Sequence, residues 1–222
     1  MKKTYKVLFT ILSVWFLSQL YAGSAISQVT DIDGNEYTTY TVGNYVWTVT
    51  NLNVERYRNG DPIPQVQDMK DWVSLKTGAW CWFENNSENG IVYGKLYNWY
   101  AVNDPRGLAP QGWHIPSVEE WNALIEYFGG KEEAGAKLKN YEIWESPNLG
   151  ATYTCKFKAL PGGFRQKNGE FFGTGKYGGF WMSTVNDEGL AWAAYMNNNL
   201  KDIFLNPYDK NVGLSVRVVK DN

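Results

Sequence analysis

The chain has one histidine and two cysteines among its 222 residues. A lone His114 cannot supply the three imidazoles of a triple-histidine iron site or the two of a dihistidine zinc site. Basic clusters are missing as well. Lys and Arg number 21 against 23 Asp and Glu, a balance that makes the chain a poor candidate for binding nucleic acid or an anionic membrane surface. Beyond Leu20 no apolar run is long enough to span a bilayer, so no membrane insertion is expected. There is no GxSxG elbow for a nucleophilic serine. The glycine-rich GTGKYGG (Gly173–Gly179) has Tyr177 where a phosphate-binding loop needs Ser or Thr after its lysine. No cofactor is expected. No Pro/Ser-rich linker and no internal repeat divides the chain, so a single domain follows.

What is present begins with a leader. Lys2, Lys3 and Lys6 precede the apolar run Val7–Leu20, with Ala25 and Ser27 placed as the −3 and −1 positions of a cleavage site. Residues 1–27 read as a secretory signal peptide and 28–222 as the exported domain. Ser13, Ser18 and Gln19 interrupt the run and disfavour a membrane anchor. The protein is therefore expected to be secreted, to the periplasm, the cell surface or the medium. Without Lys2, Lys3 and Lys6 the balance is 18 basic to 23 acidic residues. A domain of about 195 residues buries roughly 70% of its unfolded surface, enough to fold without a metal or a disulfide. Export nevertheless permits a Cys81–Cys155 disulfide, worth about 4–5 kcal/mol in chain-entropy terms. The alternative is two buried free thiols.

Residues 29–53 alternate β-branched or aromatic with polar side chains, and Asp33–Gly34 and Gly43–Asn44 mark hairpin turns. DIDGN resembles the start of a calcium loop, but the twelfth position from Asp31 is Val42, so the hairpin reading prevails. Residues 54–92 show no periodicity. Leu96, Trp99, Tyr100 and Asn103 predict a short helix. The strongest helix signal follows: Ser117 and Glu120 form a capping box, Trp121, Leu124, Ile125 and Phe128 an apolar stripe, and Gly129–Gly130 the C-terminal stop. A shorter helix is predicted over Glu132–Leu138. Strands are predicted near Lys156–Leu160, Gly179–Ser183, Ala191–Met196 and Leu214–Val219. The fold class is α+β, with two main helices and a hairpin-rich antiparallel sheet.

Five motifs in order carry a family resemblance: GWHIPSVEEW (Gly112–Trp121), LPGGFR (Leu160–Arg165), GGFWMST (Gly178–Thr184), Ala191–Trp192 and GLSVRVVK (Gly213–Lys220). Over residues 29–220 the chain resembles the Fibrobacter succinogenes major paralogous domain, a family of exported bacterial proteins. That family is similar to the formylglycine-generating-enzyme and C-type-lectin-like folds, so the resemblance implies a C-type-lectin-like single domain. Members often carry a cysteine where this chain has Val218, and some where it has Ala109. A common family bridge is thus absent or rewired here, with Cys155 as a replacement partner. The paired terminal cysteines of formylglycine-generating enzymes have no counterpart, which argues against inherited oxidase chemistry. The Glu-Pro-Asn and Trp-Asn-Asp calcium ligands of sugar-binding C-type lectins are matched incompletely by Ser146–Pro147–Asn148 and Val185–Asn186–Asp187, both ordinary turn formers.

Phe, Trp and Tyr total 36 residues. Trp113, Trp121, Trp181 and Trp192 fall on the motif skeleton and read as core. Trp72, Trp80, Trp82 and Trp144 have loop-like surroundings and read as surface candidates. Ala194–Val218 concentrates asparagine and tyrosine, a pairing of adaptable hydrogen bonding with rigid contact area that suits a binding face. The expected ligand residues are Tyr195, Asn197, Asn198, Asn199, Asn206, Tyr208, Asn211 and Trp144, on loops across 195–211. The expected function is a non-catalytic binding or structural module that recognises a glycan or a cell-surface protein. Two alternatives stand: a divergent enzyme with His114 or Cys81 at its centre, and a display scaffold without a small ligand. His114, in a motif shared across the family, reads as structural.

Overall fold

The structure is a computed structural model that describes residues 27–221. The expected signal peptide, apart from Ser27, lies outside the described residues.

The N-terminal pattern folds as expected. β1 (Gln28–Thr30), β2 (Glu36–Val42) and β3 (Tyr45–Thr48) form an antiparallel meander through turns at Asp33–Gly34 and Gly43–Asn44. The carboxylates of DIDGN are spent on the fold. Asp31 accepts from the amides of Asp33 and Asn35 and from the Tyr37 hydroxyl, and Asp33 accepts from Arg56 and the Glu55 amide.

Residues 54–92, expected to be irregular, contain α1 (Met69–Ser74), β4 (Trp80–Cys81) and α2 (Ser87–Tyr93). Helices of one or two turns leave no periodic stripe, and side-chain caps set them instead. Asp68 accepts from Lys70 N and Asp71 N, and Asn86 from Glu88 N. The next predicted helix is cut short: Leu96 and Tyr97 form β5, and α3 is the single turn Trp99–Val102, capped by Asn98. After β6 (Trp113–His114), α4 (Val118–Tyr127) carries the expected capping box, and Gly129 and Gly130 close it at positive φ. α5 (Lys131–Leu138) follows. Five short α-helices thus stand among the described residues where two main ones were expected.

The predicted strand at 156–160 does not form. Lys158 sits at φ 50°, outside the extended region, and Ala159 makes only a single bridge to Lys139. The C-terminal half supplies β7 (Gly162–Arg165), β8 (Phe171–Thr174), β9 (Tyr177–Val185), β10 (Ala191–Asn197), β11 (Phe204–Tyr208) and β12 (Val219–Lys220). Two five-stranded sheets result, ordered β1-β2-β3-β12-β6 and β11-β10-β9-β7-β8, beside the small β4–β5 pair. Among the described residues, pairing of one named strand with another is antiparallel except where β7 meets β9 at Gly163 and Gly178. The architecture is α+β.

The second sheet is covered on both faces over its centre. Phe180, Met182, Ala194 and Met196 join Trp121, Leu124 and Ile125 of α4 in one core cluster, while Trp181, Ala191 and Ala193 join Trp99 and Val102 of α3 in another. That two-sided burial explains why GGFWM is a continuous apolar run instead of an alternation.

The terminal motif is a thread between the sheets. Residues 211–219 are buried throughout; Leu214 exchanges backbone hydrogen bonds with Tyr97, and the carbonyls of Ser215, Val216 and Val218 accept from the amides of Trp181, Leu52 and Thr48 in turn. Only Val219–Lys220 is regular strand, pairing with β3 and β6. Much of the remaining chain is loop, and buried cations satisfy its carbonyls. Arg217 donates to Thr48 O, Phe157 O, Lys158 O and Asn51 Oδ1. Arg165 donates to Val66 O, Gln67 O, Asp68 O and Gly169 O. Lys139 Nζ holds Leu149 O, Asn197 O and Leu200 O. Such links replace the ladder bonds a loop lacks.

Cys81 and Cys155 are free thiols, which corrects the expected disulfide. Cys81 packs with Trp72 and Phe83, Cys155 with Trp47 and Phe157, in separate clusters. The tryptophans expected at the surface are also inside. Trp72, Trp80 and Trp144 are buried, their indole N–H groups donating to Asn211 O, Ile63 O and Ala159 O, and Trp82 is half-buried against Trp80. Irregular backbone offered these rings carbonyl partners, so loop surroundings did not mean exposure.

Candidate functional site

One face of the second sheet carries an aromatic ring from every strand. Phe172 on β8 lies 5.5 Å from Phe164 on β7 and 5.3 Å from Tyr177 on β9. Tyr177 stacks on Tyr195 of β10 at 5.6 Å, and Tyr195 lies 6.2 Å from Phe204 of β11. Strand alternation places them together, since the register sets Phe164 opposite Phe172 and Tyr195 opposite both Gly179 and Phe204. Gly179 has no side chain to offer Tyr195, so the ring stacks diagonally on Tyr177. The ends of the row are its most exposed members, Phe172 at 48% and Phe204 at 36%.

Beside the row lies an open cavity of about 220 Å³ walled by Phe164, Tyr195, Tyr208, Val212 and Leu214, with Gln166 and Lys167 also lining it. Gly179 forms part of the wall, and a Cβ there would come within 2.8 Å of Leu214 Cδ2. Burial raises the Tyr195 phenol well above its usual range, with Tyr177 and Tyr208 adding to the effect, and burial raises Tyr208 too. Both hydroxyls stay neutral at physiological pH and act as hydrogen-bonding groups, not as charges. The arrangement offers apolar ring surface with neutral hydroxyl and amide groups and one ammonium beside it.

The structure divides the expected ligand residues. Tyr195 and Tyr208 line the cavity. Asn206 is exposed on β11, and Asn197 is half-buried at the end of β10, opposite Tyr177. These stand on paired strands, so the expected loops are largely sheet. Asn199 is exposed in the β10–β11 turn, its amide donating to Asn197 Oδ1. Asn198 is buried and donates to Glu145 O and Ser146 O, while Asn211 is buried and holds Trp72 O and Val73 O. Asn198, Asn211 and Trp144 therefore build the fold and are removed from the ligand set. Phe164, Phe172 and Tyr177 were not foreseen. They lie on three different strands, so their common face is visible only once the β7–β8 hairpin and the β7–β9 pairing are assigned.

His114 is held between two carboxylates, Nε2 at 2.8 Å from Glu120 Oε1 and Nδ1 at 2.7 Å from Asp221 Oδ1. Both ring nitrogens must carry a proton to make both bonds. Burial lowers the imidazole pKa, but the hydrogen bonds to Asp221 and Glu120 raise it more, so the net shift is upward. The folded pKa exceeds the unfolded value near 6.5, so this stabilisation is complete below about pH 6.5 and fades as pH rises through the folded value. His114→Gln is expected to lose under about 1 kcal/mol, since the ring is partly exposed and screened. Melting curves from about pH 5 to pH 9 check it: the gap between wild type and variant should close as pH rises. A gap that widens instead would overturn the assignment.

The Cys81 thiol is fully buried, and burial pushes its pKa up to about 12, leaving no thiolate at neutral pH. Asn186 and Asn148 of the calcium-like tripeptides are engaged in local turns, accepting from Glu188 N and Leu190 N and donating to Asn140 O and Tyr141 O. Among the described residues no group of three His, Cys, Asp or Glu side chains stands placed to hold a metal ion. No described helix is long and apolar enough to cross a membrane.

The fold and the exposed row define the class: an α+β domain with two five-stranded sheets, one of them presenting an aromatic face. The chain belongs to the Fibrobacter succinogenes major domain family, whose model matches residues 41–220. No curated protein and no solved structure matches it.

Proposed function

We propose that this protein is an exported, non-catalytic module of the C-type-lectin-like kind that binds a glycan on the aromatic face of its second sheet. One observation carries the reading: the row Phe172–Phe164–Tyr177–Tyr195–Phe204 continues into a cavity walled by Tyr195 and Tyr208. Sugar rings present C–H edges that pack on aromatic surface and hydroxyls that need neutral donors and acceptors. The site supplies both, with Asn206 beside it on the edge strand. The surroundings of the two candidate nucleophile or base residues support the non-catalytic part, since Cys81 is a sealed thiol and His114 is saturated by two carboxylates. The return of β12 to β3 beside the N-terminal hairpin supports the lectin-like arrangement.

The test is binding of the purified protein to a panel of neutral and acidic polysaccharides, with and without calcium. Tyr195→Ala with Tyr208→Ala should weaken binding at least about tenfold, because aromatic contacts of this type contribute about 0.5–1.5 kcal/mol each beyond area burial. Retained binding in a folded double variant would move the site elsewhere. A panel with no binder would remove the glycan reading.

A further inference from the structure

The cavity does not stand alone. Lys167 lines it and also lines a shallow groove next to it, whose other walls include Val73, Lys76, Asn168 and Asp209. Lys76 and Lys167 are both exposed, and among the described residues neither has a carboxylate within ion-pair distance. Lys210, from the same stretch of chain, lies 4.9 Å from the ring centre of Trp99. Asp209 is the acid within the groove, and its Oδ1 already accepts the Asn211 amide. In a chain with a net negative charge, one ammonium without an ion-pair partner at the apolar cavity and a second in the groove beside it, against the single acid Asp209, make a local reversal of sign.

The size of the cavity narrows the ligand. Pockets for drug-sized molecules run to about 300–1,000 Å³, so a cavity of about 220 Å³ suits one ring of a longer chain. We infer that the glycan is acidic: a pyranose seats against Tyr195 and Tyr208, and its carboxylate meets Lys167, with Lys76 taking the next charge along the groove. This rests on the glycan reading above and adds the charge of the ligand to it. Charge-assisted hydrogen bonds are roughly twice as strong as neutral ones, and exposed ion pairs weaken in salt, so the preference for acid should be salt-sensitive.

The experiment compares polygalacturonate with its methyl ester, which keeps the pyranose backbone and removes the charge. Wild type is expected to bind the acid about tenfold more tightly than the ester, and added salt should erase that difference. Lys76→Met with Lys167→Met should bring the affinity for the acid down to that for the ester. Both lysines are exposed, so the variant should melt with the wild type, and a matching melt confirms that the readout is binding. Equal affinity for acid and ester, with both lost in the Tyr195 and Tyr208 variant, would overturn the charge assignment while leaving the binding face in place. Binding to neither form, nor to any glycan of the panel, would overturn the glycan reading and this inference with it.

Discussion

Arg217→Met is expected to destabilise the protein by about 3–5 kcal/mol, the range seen when a buried charge loses its partners or the partners lose the charge. The guanidinium is fully buried and has no carboxylate; its compensation comes from Thr48 O, Phe157 O, Lys158 O and Asn51 Oδ1, and from the Phe157 ring 4.9 Å away. Methionine fills much of the volume and removes the cost of burying a charge, which offsets part of the loss. The oxygens stay buried without donors, however, and each such orphan costs about 1–3 kcal/mol. Losing the donors wins. The consequence is not local, because those oxygens belong to β3, the loop after it and the 157–158 segment, which Arg217 gathers at one point of the terminal thread. For a domain of this size about 1 kcal/mol moves the melting temperature by about 2–4 °C, so a fall of about 10 °C is expected. Thermal unfolding followed by circular dichroism measures it. A shift under about 2 °C would show that the carbonyls find water or other donors. Arg217→Lys, with three donors, should recover part of the loss.

The same clamp shows where the sequence was readable and where it was not. Local signals held: the Asp33–Gly34 and Gly43–Asn44 turns, the Ser117–Glu120 box and the Gly129–Gly130 stop all appear where chain-local chemistry put them. Each depends on residues within a few positions of one another. Errors arose where a residue's fate is set by distant chain. Trp72 is buried because Asn211 O, far along the sequence, accepts its N–H, and Asn198 is buried because the 145–146 carbonyls need a donor. Loop composition around these residues is the same whether they face water or a remote carbonyl. The arginines of LPGGFR and GLSVRVVK were legible as motif residues, but their role as loop clamps required the positions of Val66–Asp68 and Phe157–Lys158 in space. For the site, Tyr195 and Tyr208 were visible as aromatics in one polar stretch. Phe164, Phe172 and Tyr177 were not, because only sheet order brings β7 and β8 alongside β9 and β10.

Gly163→Ala should be strongly destabilising, and it bears on the binding face as well as on stability. The GG pairs of LPGGFR and GGFWMST meet where Gly163 lies opposite Gly178, the one parallel contact between β7 and β9. Gly163 has φ 64°, and a Cβ there would lie 2.6 Å from Phe83 Cε2, 2.7 Å from Thr174 N and 2.8 Å from Phe172 O. The ring of Phe83 has room to turn only within its own packed cluster, and the β8 backbone cannot retreat without breaking its pairing with β7. Left-handed strain of about 1 kcal/mol is thus joined by overpacking of about 1–3 kcal/mol. Gly189→Ala is the matched control: φ is 77°, but nothing lies within 4 Å of the added carbon, so only the strain applies. The difference in melting temperature between the two variants isolates the close approach, and Gly163→Ala should be lower by about 5 °C. Because β8 must move to admit the methyl, Phe172 and Phe164 should lose their alignment, and polysaccharide binding should fall even in the fraction that remains folded. Equal melting of the two variants would mean that β8 yields freely. Unchanged binding in a folded Gly163→Ala protein would confine the ligand to the Tyr195–Tyr208 end of the face.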